Sequence, residues 1–285
     1  MRNFLDHPET DRIIREAIKE DIGPGDHTTL STIPEGAESS ARCLIKGEGV
    51  LAGVALAEKV FHTIDEHLAL EVFIQDGAEV AYGDVSFHVH GKVRSILQSE
   101  RIVLNLMQRM SGIASFAREV SSLLQGLSCK VLDTRKTTPL IRHVEKWAVN
   151  IGGGTNHRFG LYDMVMIKDN HVDYAGGITE AIMACRSYLK EHDLFLKIEV
   201  ETRDLEEVQE VLKTGEADII MLDNMSLPMM REAVKMIGDK AQTEASGGIT
   251  METARAIAET GVDFISMGAL THSVKSMDIS LKAIK

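Results

Sequence analysis

From residue 130 onward short β-rich runs recur: "KVLDT", "MVMIKD", "LKIEV", "DIIMLD", "TEASGG" and "DFISMG". Most are followed by a helical stretch, clearest in "EAIMACRSYLKEH", "LEEVQEVLKTG", "LPMMREAVKMIG" and "METARAIAETG", the last two introduced by the expected caps Ser226 and Thr250. Strand and helix in alternation force right-handed parallel crossovers, so the segment must form a barrel or an open doubly wound sheet. The polar residues favour the barrel. Each run stays apolar until its C-terminal end and then delivers chemistry: Asp133, Arg135 and Lys136; Lys168 and Asp169; Glu199 and Glu201; Asp223 and Asn224; Ser246, Gly247 and Gly248; Ser266 and Gly268. In a βα barrel such ends converge on one mouth. The stretch is shorter than the roughly 200 residues of a full eightfold barrel, so an incomplete one is expected.

The preceding residues follow another pattern. "PETDRIIREAIKEDIG" has apolar residues at helical spacing, with Thr10 as the expected cap and Gly23 as the stop. "SSARCLIKGEG", "LALEVFIQDG" and "DVSFHVHGKVRSI" read as strands, with "GVLAGVALAEKVFHTIDEH" as a helix between the first two. That describes a small α+β domain. A long helical tract, "SILQSERIVLNLMQRMSGIASFAREVSSLLQG", follows, with a break expected near Ser111-Gly112.

Composition narrows the function. With 43 acidic against 31 basic side chains and a formal net charge of −12, the far field repels nucleic acid and anionic membrane, so any anion has to be held by a local cationic cluster. No apolar run approaches the roughly 18 residues that a membrane span needs. The charged N-terminus is unlike a signal peptide, and a cytoplasmic protein is expected. Cys43, Cys129 and Cys185 form no CxxC pair and read as buried small hydrophobes.

The cationic cluster has candidates: Arg101 in the long helix, Arg135 and Lys136 after one strand, Arg158 beside "GGGTNH", and Lys168 after the next strand. Arginine presents a donor fork to carboxylate or phosphate and lysine a compact charge. "SGG", Ser246 to Gly248, opens the helix capped by Thr250 and could lay its amides around a phosphate, with "SMGALTHS" on the following strand as a second glycine site. Glu199 and Asp223 end consecutive strands; they suit a magnesium ion shared with substrate phosphates, or they neutralise the basic residues. His157 can be catalytic or a wall of the site. Lys168 at a strand end also admits a Schiff-base aldolase, which the several arginines disfavour, and a non-catalytic nucleotide-binding barrel is a further rival.

Taken together, "EDIGPGDHTT", "GVLAG", "ERIVLNLMQRMSGIAS", "DTRKTTP", "GGGTNHRFGLYDMVMIKDNH", "KIEVE", "IMLDN", "EASGGIT" and "GVDFISMGALTHS" resemble the quinolinate phosphoribosyltransferases, almost end to end. One departure is Leu140, where the family has glycine after proline. The resemblance implies an N-terminal α+β open sandwich over residues 1–105, with the tail 271–285 returning to it, and a seven-stranded incomplete α/β barrel over 106–270. It implies a homodimer in which Arg101 serves the partner's site. It further implies transfer of phosphoribosyl from phosphoribosyl pyrophosphate to quinolinate with Mg²⁺ and with decarboxylation, in NAD biosynthesis. Lys136, Lys168, Glu199 and Asp223 are then the catalytic candidates. Arg101, Thr134, Arg135, His157 and Arg158 would bind substrate with them, joined by Ser246, Gly247, Gly248, Ser266, Met267, Gly268 and His272, and Glu199 and Asp223 would hold the metal.

Overall fold

The computed structural model describes residues 4–284. In chain order the first elements are α1 (Pro8–Asp21), α2 (His27–Thr32), β1 (Glu38–Ile45), β2 (Gly49–Val50), α3 (Val54–Ile64), β3 (Ala69–Val72), β4 (Glu79–Val80), β5 (Val85–Lys92) and α4 (Val93–Leu123). Then come β6 (Lys130–Leu132), α5 (Arg142–Ile151), β7 (Val165–Ile167), α6 (Asp169–Ala175), α7 (Ile178–Glu191), β8 (Ile198–Thr202), α8 (Leu205–Thr214) and β9 (Ile219–Asp223). The last are α9 (Leu227–Ile237), β10 (Gln242–Ser246), α10 (Met251–Ala258), β11 (Phe264–Ser266), α11 (Ala269–His272) and β12 (Ile279–Ile284). The chain forms two compact units: one runs to Arg118 and adds Thr137–Gly153 and the residues from Leu270, and the other comprises Glu119–Lys136 and Gly154–Ala269. The expected border at 105/106 therefore falls inside α4, and α5 joins the first unit.

The first unit is built on an antiparallel sheet in the order β12-β1-β5-β3. Period-two alternation puts Ala41, Cys43 and Ile45 of β1 inside, and the tail pairs with the same strand, Cys43 opposite Leu281. Phe61 of α3 meets Phe87 of β5 edge-on, with ring centroids 5.9 Å apart. The α3 N-terminus is held by Asp76, which accepts from the Val54 amide at 2.8 Å. Two local expectations need correction. α1 is capped by His7, whose Nδ1 accepts from Glu9, while Thr10 is buried and donates to the Phe4 carbonyl at 2.6 Å. α4 has no break at Gly112: a side chain there would strike the Lys275 carbonyl oxygen, so the glycine serves close packing.

The second unit is a parallel sheet in the order β6-β11-β10-β9-β8-β7. Strands covered on both faces lose the alternating pattern: Ile219 to Leu222 are all buried. Where a seventh strand was expected, Thr155 makes a single parallel bridge to Leu132 on the free side of β6. Among the described residues the barrel thus consists of six strands and one bridge and stays incomplete. Cys43 and Cys129 are buried, whereas Cys185 is partly exposed.

Candidate active site

The C-terminal strand ends of the second unit surround a cavity of about 240 Å³. Of the residues singled out in the sequence, Thr134, Arg135 and Lys136 after β6 line it, with His157 and Arg158 from the glycine-rich loop. Lys168 after β7, Ser246 at the end of β10 and Ser266 of β11 complete that set. Met166, Met221 and Glu244 also line it. Each cation has a local reason for its place. Thr134 Oγ1 accepts from the Lys136 amide at 3.0 Å and turns the chain after β6. Asp163 accepts from the Phe159 and Gly160 amides at 2.8 and 2.9 Å, folding the loop so that the Arg158 guanidinium reaches the Met164 carbonyl at 3.2 Å. Burial, followed by the charge of Arg135, lowers the Arg158 pKa, the signature of cations gathered to meet an anion. Lys168 is paired with Glu201 at 2.6 Å.

Beneath the cations lies a buried acidic set. Asp133 is fully enclosed and accepts from the His157 amide at 2.9 Å and the Asn156 side chain at 2.7 Å, fixing the loop. The His157 Nε2 is 3.0 Å from Glu199 Oε2 and 3.2 Å from Glu244 Oε2, and both carboxylates are wholly buried. Burial lowers the imidazole pKa, but hydrogen bonds and charge from Glu199 and Glu244 outweigh it and raise it to about 10. Burial, then the Glu244 charge, lifts Glu199 to about 7, with His157 opposing. A full imidazolium conflicts with the other side of the ring, where Nδ1 accepts the Arg158 amide at 2.7 Å and needs its lone pair. The geometry therefore favours a neutral ring protonated on Nε2, with the further proton on Glu199. His157, Glu199 and Glu244 also have the composition of a cation site.

The description "Quinolinate phosphoribosyl transferase, C-terminal domain" matches residues 113–282, and its N-terminal counterpart matches residues 26–111. The chain belongs to the quinolinate phosphoribosyltransferase family. It is 47% identical to the decarboxylating quinolinate phosphoribosyltransferase 2b of Nicotiana tabacum, named as mitochondrial, over 97% of this chain and 83% of that one. Among solved structures, NadC of Streptococcus pyogenes superposes with a TM-score of 0.91 at 37% identity, over 97% of this chain and 98% of that one. The nicotinate-nucleotide pyrophosphorylase of Francisella tularensis superposes with a TM-score of 0.91 at 36% identity, over the whole of both chains.

Against that family background the remaining expected residues divide. Glu199 and Asp223, assigned together to a metal, stand at different depths. Glu199 pairs in register with Ile219, so Asp223 lies four residues, roughly 13 Å of strand, further along β9. Asp223 is half-buried and accepts from Asn224 Nδ2 at 2.7 Å. Gly247 and Gly248 have φ of 96° and 59°, and a side chain on Gly247 would run into Asn224. They connect β10 to α10, where Thr250 forms the capping box. Met267 and Gly268 follow β11 directly. Arg101 and His272 belong to the first unit; the Arg101 guanidinium is exposed, 3.6 Å from Glu100, and His272 Nδ1 bonds Ser273 at 2.6 Å. Glu244 was missed as a site residue, and Glu201, noted at its strand end, was given no role there. Their signal was present: a glutamate on the inward period of an apolar strand needs a partner.

Proposed function

We propose that this chain transfers the phosphoribosyl group of phosphoribosyl pyrophosphate to quinolinate, releasing pyrophosphate and CO₂ and giving nicotinate mononucleotide, a step of NAD biosynthesis. The observation that carries the reading is a cavity rimmed by Arg135, Lys136, Arg158 and Lys168 in a chain of net charge −12, within a family named for this transfer. Two arginines and two lysines match a ligand with two carboxylates, one guanidinium fork per planar anion. Held there, the pyridine nitrogen attacks the anomeric carbon as the bond to pyrophosphate breaks. The nitrogen becomes positive, so the ring retains the electron pair when the adjacent carboxylate departs as CO₂, and a proton replaces it. Orientation and electrostatics supply most of the acceleration.

Ser246, Gly247, Gly248 and Gly268, at the ends of the last two strands, are assigned to the substrate phosphate. Asp223, whose observed partner is a neighbouring amide, has the hard oxygen donors that Mg²⁺ prefers; the enclosed Glu199 does not fit that role. The ion would neutralise charge on the leaving pyrophosphate. A homodimer is part of the proposal, with exposed Arg101 reaching the partner's quinolinate. The unpaired cysteines fit a reducing compartment such as cytoplasm, and among the described residues no helix is long and apolar enough to cross a membrane. The test is pyrophosphate release from purified protein. It should require phosphoribosyl pyrophosphate, quinolinate and Mg²⁺ together; no release with all three present overturns the reading.

A further inference from the structure

The carboxyl groups of Glu199 and Glu244 are buried against each other, with His157 Nε2 3.0 and 3.2 Å from their oxygens and none of those oxygens satisfied by the backbone or by another side chain. Burying two carboxylates against one imidazole is unfavourable unless the arrangement serves something else. The other face of that imidazole shows what. His157 Nδ1 accepts the backbone N–H of Arg158 at 2.7 Å, and the Arg158 guanidinium forms part of the cavity wall. A histidine ring has two nitrogens, and what one of them bonds decides the state of the other. We propose that Glu244 and Glu199 are positioning residues: they keep the His157 proton on Nε2, leaving Nδ1 as the acceptor that fixes the Arg158 main chain and so aims its guanidinium into the cavity.

This assignment changes the part played by His157. Nδ1 is bonded along the loop and the buried Nε2 stands against the two carboxyl groups below, so in this assignment the ring acts through Arg158. Asp133 holds the same loop from its amide side at 2.9 Å, and β8, β10 and β6 thereby converge on a single arginine.

The inference rests on the reading of Arg158 as a carboxylate ligand, and the two can fail separately. The first measurement is made on the wild-type protein: long-range ¹H–¹⁵N correlation of histidine-labelled protein, with the His157 signals assigned by their disappearance in His157→Gln. The expected result is a protonated Nε2 and an unprotonated Nδ1. A proton on Nδ1 overturns the proposal even if the enzyme uses quinolinate, whereas absence of quinolinate turnover with the expected tautomer overturns only the functional reading. Glu244→Leu should then raise KM for quinolinate roughly tenfold or more while KM for phosphoribosyl pyrophosphate moves far less, and Glu244→Gln, which keeps an acceptor oxygen, should recover part of the loss. Equal rises in both constants, or a metal ion retained at one per chain and lost in Glu244→Leu, would also overturn it.

Discussion

Each unit of the chain buries a charged cluster, and the two are finished differently. In the first unit Glu145 is fully enclosed and accepts from Arg109 Nε and Nη2 at 3.0 and 2.8 Å, from the Thr138 amide at 2.9 Å and from the Thr138 hydroxyl at 2.8 Å. Arg109 also donates to the Val274 and Thr271 carbonyls. One carboxylate thus binds α4, α5 and the C-terminal segment with its acceptor sites filled. In the second unit, two carboxylates share one imidazole. The difference teaches that burial of charge alone does not mark a site. A saturated cluster is scaffold, and a cluster left short of donors beneath a cationic cavity is where structure is held for chemistry.

The largest expected effect tests the scaffold side of this contrast. Glu145→Ala takes from the half-buried Arg109 its carboxylate partner and strips the Thr138 amide and hydroxyl of their acceptor, and should lower stability by about 3 kcal/mol, read from denaturant unfolding. A loss below about 1 kcal/mol would show that the cluster is not structural. Next comes the site side: Arg158→Ala should unfold close to wild type yet lose on the order of 100-fold in kcat/KM for quinolinate. If its main effect were on unfolding, the two clusters would not differ in kind.

How far this contrast was legible beforehand depends on distance in the chain. The parallel strands announced themselves through apolar runs such as "DIIMLD", and Arg135, Lys136, Arg158 and Lys168 through their position just after strands. Glu244 announced only that it needs a partner; its role depends on His157 and Glu199, which approach it from a loop and a strand far away in sequence. Glu199 was read at the mouth for want of register: only its pairing with Ile219 shows how deep it lies. The α4 break was misjudged because Gly112 was taken for a flexible point, when the reason for glycine is a carbonyl from residue 275. Thr10 was chosen as a cap by residue type, and His7, three residues earlier, took the position instead.

A smaller effect concerns assembly. Arg101→Ala and Lys136→Ala proteins should each be nearly inactive, but mixing and reassembling them should restore about a quarter of wild-type activity, since half of random dimers are mixed and each has one intact site. Persistent inactivity with subunit exchange verified by mass spectrometry would place Arg101 in its own subunit's site. The smallest effect lies at Leu140, which has φ of 69° and an exposed side chain. Leu140→Gly, restoring the family's residue, should stabilise the first unit by up to about 1 kcal/mol, as relief of left-handed strain is partly offset by chain entropy. Destabilisation would mean that the leucine makes a contact worth more than the strain.

The central claim is that the cations of the second unit are arranged for a ligand with two carboxylates. It is tested most directly by comparing quinolinate with nicotinate, which lacks one of them, in pyrophosphate release at saturating phosphoribosyl pyrophosphate and Mg²⁺. Leaving one cationic pocket unmatched should reduce kcat/KM for nicotinate by on the order of 100-fold or more. Comparable values for the two acids would contradict the account.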